Sequence, residues 1–246
     1  MKIADKVEML EVAAAATGRP IPVYPTLFYD ERSVVLADTG FPGQLPMLKA
    51  EVERVVGSLD KIDRVIATHQ DVDHIGNIPG LLGSVKKKIE VLCGTDDKPY
   101  IEGEKKMIKG DPSPRNKFLA TLPEERRRQF LEIMANPPKA KVDRTLADGE
   151  ALPDCGGILV IGTPGHTPGH ISLYHELSRT LVAGDALRLI GGELVGPAPE
   201  NAADLDQALK SVKKLLNYDI ATVICYHGGV FRGDVRKILS GITAGI

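Results

Sequence analysis

The chain has 246 residues and is 43% hydrophobic, enough to bury the core of one α/β domain. Its 31 basic and 33 acidic residues leave a net charge of −2, which gives no field for a polyanion and excludes nucleic acid as an expected partner. No window approaches the roughly 18 apolar residues of a membrane span, and charge falls at Lys2 and Asp5 where a secretory segment would begin. Cys93, Cys155 and Cys225 are odd in number without a CxxC, so a cytoplasmic chain with reduced thiols and no membrane partner is expected.

From the N-terminus, the runs 7–16, 21–28 and 33–37 are β-rich and broken by Thr17-Gly18 and Asp30-Glu31, which is how a meander opens. Pro46 starts an amphipathic stretch with Leu48, Val52 and Val55 at helical spacing and Gly57 at its end. A strand at 64–68, a helix at 75–82 and a strand at 89–93 follow, and such alternation predicts layered α/β structure. Residues 96–141 break the rhythm with polar sequence, Gly110-Asp-Pro-Ser-Pro114, Pro137-Pro138 and a helix predicted over 123–135; they read as an insertion or lid at the substrate entrance. Strands are predicted at 157–163, 171–175 and 180–183, a helix at 203–216, a strand at 221–226 and a last helix. The stretch VVLADTG, helix, DRVIATH is echoed by TLVAGD, helix, ATVICYH, so each half reads strand-Asp, helix, strand-His.

Four apolar runs end in a residue able to bind metal: RVIAT before His69, ILVIGTPG before His166, TLVAG before Asp185 and ATVICY before His227. Ligands in α/β sheets bind beyond the carboxyl ends of strands, so these ends are expected to share one edge. Asp71, Asp73 and His74, which follow the first run, bring the candidates to seven, enough for two ions. A lone histidine at a strand end is ordinarily a hydrogen-bonded core residue, but five of the six histidines lie in three motif segments together with aspartates, which a structural role does not require.

His69-x-Asp71-x-Asp73-His74, His166 in GHTPGH, Asp185 in AGD and His227 in CYHGG together resemble the metallo-β-lactamase superfamily, over the span from Asp38-Thr-Gly40 to His227. The resemblance implies an α/β (α+β) fold: a four-layer αβ/βα sandwich of two mixed β-sheets with flanking helices, here one domain over 1–246 with the insertion at 96–141. It also implies two divalent metal ions. His69, Asp71, His166 and Asp185 would hold the first, and Asp73, His74, His227 and the bridging Asp185 the second. The family usually carries histidine at position 71. Aspartate there hardens the site, so zinc is expected while iron or manganese gains ground.

His170 matches no ligand of the family and is expected to support the site by hydrogen bonding. Asp38 either does the same or closes the turn into Gly40, and His175 has no motif context. Two ions sharing a hydroxide provide a nucleophile at neutral pH, with Asp73 as the catalytic group that orients it and passes its proton on. The expected activity is hydrolysis of an ester-like bond, lactone or thioester, in a small-molecule substrate, since TPGHTPGH looks like the lactonase and glyoxalase II branches. Arg188 stands where lactonases carry a tyrosine, and it either binds an anionic substrate group or covers apolar surface. The alternatives are a diiron redox enzyme like the catalytic part of flavodiiron proteins, which share a carboxylate at position 71, and a metal-dependent nuclease or phosphodiesterase. The sequence does not set the oligomeric state, and a homodimer is compatible with it.

Overall fold

In the computed structural model, which describes residues 1–14, 21–109 and 116–246, the central strands are buried on both faces, as at Val34–Ala37, Ile171–His175 and Thr222–Cys225, so each lies between two layers. The first half runs β1 (Lys2–Ala4), β2 (Val7–Met9), β3 (Val12–Ala14), β4 (Ile21–Val23), β5 (Thr26–Tyr29), β6 (Val34–Ala37), α1 (Leu45–Val56), β7 (Arg64–Ala67), α2 (Val72–Ile75), α3 (Ile78–Ser84), β8 (Glu90–Gly94), α4 (Lys98–Ile101), α5 (Asn116–Thr121), α6 (Glu124–Ala135) and β9 (Arg144–Leu146). The second runs β10 (Ala151–Leu152), β11 (Ile158–Gly162), β12 (Ile171–His175), β13 (Thr180–Val182), β14 (Arg188–Ile190), β15 (Glu193–Val195), α7 (Leu205–Lys214), β16 (Thr222–Cys225), β17 (Gly229–Arg232) and α8 (Val235–Ile242). Among the described residues these form a seven-stranded sheet, β1-β2-β5-β6-β7-β8-β9, a six-stranded sheet, β10-β11-β12-β13-β16-β17, and the hairpins β3-β4 and β14-β15. Both sheets mix parallel and antiparallel pairs.

Four layers follow from the period of two. Ile66, Leu92, Val35 and Phe28 point from the first sheet towards Val160, Leu173, Val182 and Ile224 of the second and form the core between the sheets. Their neighbours Val65, Val91 and Leu36 point the other way, onto Leu48 and Val52 of α1 and Ile78 and Leu81 of α3. Ile161, Leu181 and Val223 face Val212 of α7 and Val235 and Leu239 of α8. The helices are bounded by ordinary chemistry: Gly57 closes α1 at φ 87°, and the carboxylates of Asp204 and Asp234 accept the N–H groups of Gln207 and Lys237 at the starts of α7 and α8.

The sequence echo is one structural unit used twice. β6, α1 and β7 form a strand-helix-strand unit with parallel pairing, Val35 opposite Arg64, and β13, α7 and β16 form another, Thr180 opposite Thr222. The helix predicted over 75–82 is divided instead. Gly76 packs so closely that a Cβ would lie 2.4 Å from the Gly40 carbonyl, and Pro79 opens α3 without an N–H to continue a helix. The run 7–16 changes partners after Met9: β2 pairs with β5, β3 with β4. The remainder of that run, the break at Thr17-Gly18 and the stretch 110–114 lie outside the described residues. The strands not anticipated, β1, β9, β10, β14, β15 and β17, have two to four residues, too few to show a period.

Ile66→Ala and Leu173→Ala, both fully buried between the sheets, are each expected to lower the unfolding free energy by about 2–5 kcal/mol in urea denaturation. Leu177→Ala, at a position 71% exposed, should leave it unchanged within about 0.5 kcal/mol.

Candidate metal centre

The strands that precede the candidate ligands point the same way. β6 and β7 are parallel, as are β13 and β16, and β11 runs with β13 because each is antiparallel to β12. Asp38, His69, His166, Asp185 and His227 therefore leave the carboxyl ends of β6, β7, β11, β13 and β16 on one edge of the sandwich.

Seven side chains meet there in two adjoining groups, His69, Asp71, His166 and Asp185, and Asp73, His74 and His227, with the donor atoms of each group within 4.8 Å of one another. In the first, Asp71 Oδ2 lies 3.4 Å from His69 Nε2 and 3.2 Å from His166 Nε2, and His166 Nε2 lies 3.3 Å from Asp185 Oδ2. In the second, His227 Nε2 lies 3.2 Å from Asp73 Oδ2, and Asp185 Oδ1 lies 3.4 Å from His74 Nε2 and 3.5 Å from His227 Nε2. Asp185 thus turns one oxygen to each group. Donors bonded to one ion at about 2.0–2.1 Å in a tetrahedron stand about 3.3 Å apart, so the spacing fits a cation in each. Among the described residues, His69 Nε2, His74 Nε2 and Asp185 Oδ1 are buried without a hydrogen-bond partner. Native proteins rarely leave such atoms unmatched, and these three fit the role of donors to cations.

Hydrogen bonds behind these atoms fix which nitrogen each ring presents. Asp38, in the left-handed region at φ 61°, accepts the Thr68 N–H and hydroxyl at 2.8 Å each and the His74 Nδ1–H at 2.9 Å. With its hydrogen given to the carboxylate, the Thr68 oxygen accepts from His69 Nδ1 at 3.1 Å. Both rings then turn Nε2 inward. His170 accepts the Asp185 N–H at Nε2 (3.0 Å) and donates from Nδ1 to Thr163 Oγ1 (2.8 Å), so neither nitrogen faces the groups. Gly184, at φ 54°, permits that contact, since a Cβ there would lie 2.6 Å from His170 Nε2.

Charge is balanced within the cluster. Burial by itself raises the pKa of Asp71, but Lys109 and His69 outweigh it and hold the carboxyl well below its usual value. Burial likewise opposes the ionised Asp185, and His227 and His74 overcome it. The His74 ring is held well above its usual 6.5, because Asp38, Asp73 and Asp185 outweigh burial, and His227 is raised by Asp185 and Asp73 against the same opposition. His69 is pushed well below, by burial first and His74 second, and burial drives His170 down to about 3.

Three supports have no counterpart in the sequence reading. Buried Asp97 accepts the Gln70 N–H (2.9 Å), the Thr167 hydroxyl (2.7 Å) and the Gly169 N–H (2.9 Å), tying the His69 loop to the His166 loop. It stands just beyond β8, so the strand-end pattern that marked the other aspartates also marks this one. Tyr226 stacks on His74 with ring centroids 3.8 Å apart, accepts the Gly40 N–H and donates to the Asp73 carbonyl. The Lys109 ammonium lies 2.5 Å from Asp71 Oδ2 and contacts His166 Nε2. Nothing in the polar segment 96–141 distinguishes it from the other lysines.

Two cavities open beside the groups. One of 590 Å³ is walled by Phe41, Val72, Met107, Phe130 and Met134, with Asp71, Asp73 and Lys109 at its floor. The other, of 440 Å³, is walled by Leu189, Ile190 and Ala198 with Arg188 beside His166, Asp185 and His227. Arg188 is half-buried on β14 and donates to the Gly196 carbonyl at 3.3 Å. His175, the last residue of β12, is buried, and both nitrogens are engaged, with Ser178 Oγ and the Cys155 carbonyl.

Groups with lowered histidine pKa, His69 and His170, add stability as pH rises to the ordinary value of 6.5, because only the unfolded chain binds their protons below it. His74 and His227, raised, contribute fully below 6.5 and lose that contribution as pH climbs through their folded values. The ion-free protein is therefore expected to melt at its highest temperature near pH 6.5, with a decline on the alkaline side that saturating zinc removes, as scanning calorimetry from pH 5 to 9 would show.

The sequence model of the metallo-beta-lactamase superfamily matches residues 18–227. The chain is 27% identical to the probable metallo-hydrolase YflN of Bacillus subtilis over 87% of its own length and 84% of that protein. It is 29% identical to the metallo-beta-lactamase fold-containing protein ST1585 of Sulfurisphaera tokodaii over 73% of its length and 65% of that protein. Among solved structures, the metallo-beta-lactamase family protein TTHA1429 of Thermus thermophilus superposes with a TM-score of 0.72 at 22% identity, covering 99% of this chain and 80% of that one. A metallo-beta-lactamase from Pontibacter korlensis gives 0.70 at 15% identity, covering 100% and 98%. At such identities the structural likeness speaks to the fold.

Proposed function

The chain belongs to the metallo-beta-lactamase superfamily, and on that footing we propose that it is a metal-dependent hydrolase cleaving an ester-like bond, lactone or thioester, in a small substrate. The observation that carries this reading is the set of buried, partnerless donor atoms, His69 Nε2, His74 Nε2 and Asp185 Oδ1, converging on a polar edge between two cavities. The name of the similar Bacillus protein, a probable metallo-hydrolase, agrees with it.

In this reading His69, Asp71, His166 and Asp185 would hold one divalent ion, and Asp73, His74 and His227, with Asp185 shared, would hold the other. The first set, two imidazoles and two carboxylates, accepts zinc and also suits iron or manganese. Divalent ions there supply a water acidic enough to attack at neutral pH and a Lewis acid for the carbonyl. Asp73, at the cavity floor, accepts the proton of the attacking water and returns it to the leaving group. Asp38 and Thr68 keep the His69 and His74 rings oriented throughout. Phe41, Val72, Met107, Phe130 and Met134 take the apolar part of the substrate, which makes the segment 96–141 a wall of its entrance, and Arg188 meets a polar or anionic part on the other side.

Protein purified without added metal is expected to carry about two equivalents of zinc by elemental analysis and to lose hydrolysis of a lactone and thioester panel on chelation. Asp71→Ala should lose roughly one equivalent, while Asp71→His keeps about two and shifts preference towards zinc. A full complement in Asp71→Ala would sink that ligand assignment.

Phe130→Ala should lower kcat/KM for a long-chain acyl substrate by about tenfold and leave metal content and short-chain turnover unchanged. Equal loss for both chain lengths contradicts the assignment of the apolar wall.

A further inference from the structure

Lys109 precedes α5 and belongs to none of the motifs, yet its ammonium stands inside the first donor group, 2.5 Å from Asp71 Oδ2 and in contact with His166 Nε2. Its side chain is 16% exposed, so it is largely withdrawn from water, and these contacts answer its charge on the side of the donor group. The two atoms it engages are two of the four that would hold the first ion. An ammonium this close to Asp71 Oδ2 and His166 Nε2 takes up the space that an ion held by both atoms would need. Occupancy by Lys109 and by an ion are thus exclusive there.

Among the described residues the second group has no such competitor. Asp73 and Asp185 make their ion pairs with imidazoles alone among the described residues. A lysine can also leave. The 590 Å³ cavity has Lys109 in its lining and carries the Glu200 carboxylate on its wall, so a withdrawn ammonium has both room and a countercharge.

From this arrangement, and resting on the two-ion reading of the centre, we infer that Lys109 is a built-in cation that fills the first metal position when no ion is there and must withdraw before an ion enters. It sets how tightly the first ion is held relative to the second. Ions load first at Asp73, His74 and His227, and entry at Asp71 and His166 moves a positive charge into the wall of the substrate cavity.

The test is a zinc titration of chelator-stripped protein against a competing chromophoric chelator, for the wild type, Lys109→Met and Lys109→Ala. Both variants should tighten the weaker step by roughly tenfold or more, since the fraction of molecules open to the ion rises, and leave the tighter step unchanged. In the wild type, acylation of the Lys109 amine, mapped by mass spectrometry, should be slow in stripped protein and several-fold faster at zinc saturation. That measurement needs no variant to fold. Two bound zinc ions with unchanged affinities in the variants, or labelling of Lys109 that zinc does not alter, overturns the role of Lys109 alone. Failure of wild type and variants alike to bind zinc overturns the metal centre and this inference with it.

Discussion

Negative charge gathered at the buried edge of the two sheets is the constraint on which the rest of the structure depends. Asp38, Asp71, Asp73 and Asp185 lie within a cluster of four inward-facing imidazoles, and a carboxylate taken out of water is costly unless a cation answers it. The chain answers part of that demand with its own groups: neighbouring carboxylates favour the charged forms of the His74 and His227 rings, and the Lys109 ammonium stands against Asp71. Among the described residues His69 Nε2, His74 Nε2 and Asp185 Oδ1 make no hydrogen bond, and a cation in each group would answer them.

The scaffold holds these charges in place because neither sheet completes the cluster. The first sheet delivers Asp38 and the His69 to His74 turn, the second delivers His166, Asp185 and His227, and the core between Ile66, Leu92, Leu173 and Ile224 fixes the distance across. Asp97 and Tyr226 then cross-link the loops, the one joining Gln70 to Thr167 and Gly169, the other joining Gly40 to Asp73 beneath the ring of His74. Each strand-helix-strand unit contributes one aspartate and one histidine at matching places, Asp38 and His69, Asp185 and His227. Their roles have diverged: Asp38 sits behind the donor atoms and Asp185 between them.

Residues whose placement follows from period and punctuation were legible in the sequence. The strand ends before His69, His166, Asp185 and His227 could be seen because apolar runs stop there, and parallel pairing then brings them to one edge. His170 was separable from the donors by its motif, and its two hydrogen bonds account for that. Asp38, which could equally have closed a turn, does both: its left-handed backbone turns the chain and its carboxylate orients His74. The division of the helix at 75–82 was legible only in Pro79, since its other cause is a backbone approach between Gly76 and Gly40, far apart in sequence. Lys109 was invisible for the same reason. Its place is set by tertiary contact from a segment without periodicity, and one lysine among many polar residues carries no local signal.

Anomalous scattering from crystals of the full chain grown with zinc, recorded on both sides of the zinc edge, tests the central claim most directly. The account predicts about two peaks, one bounded by His69, Asp71 and His166 and one by Asp73, His74 and His227, with an oxygen of Asp185 turned to each and Lys109 displaced from the first. Absence of density at both positions, or zinc bound elsewhere while the cluster keeps Lys109 against Asp71 and His166, would contradict it.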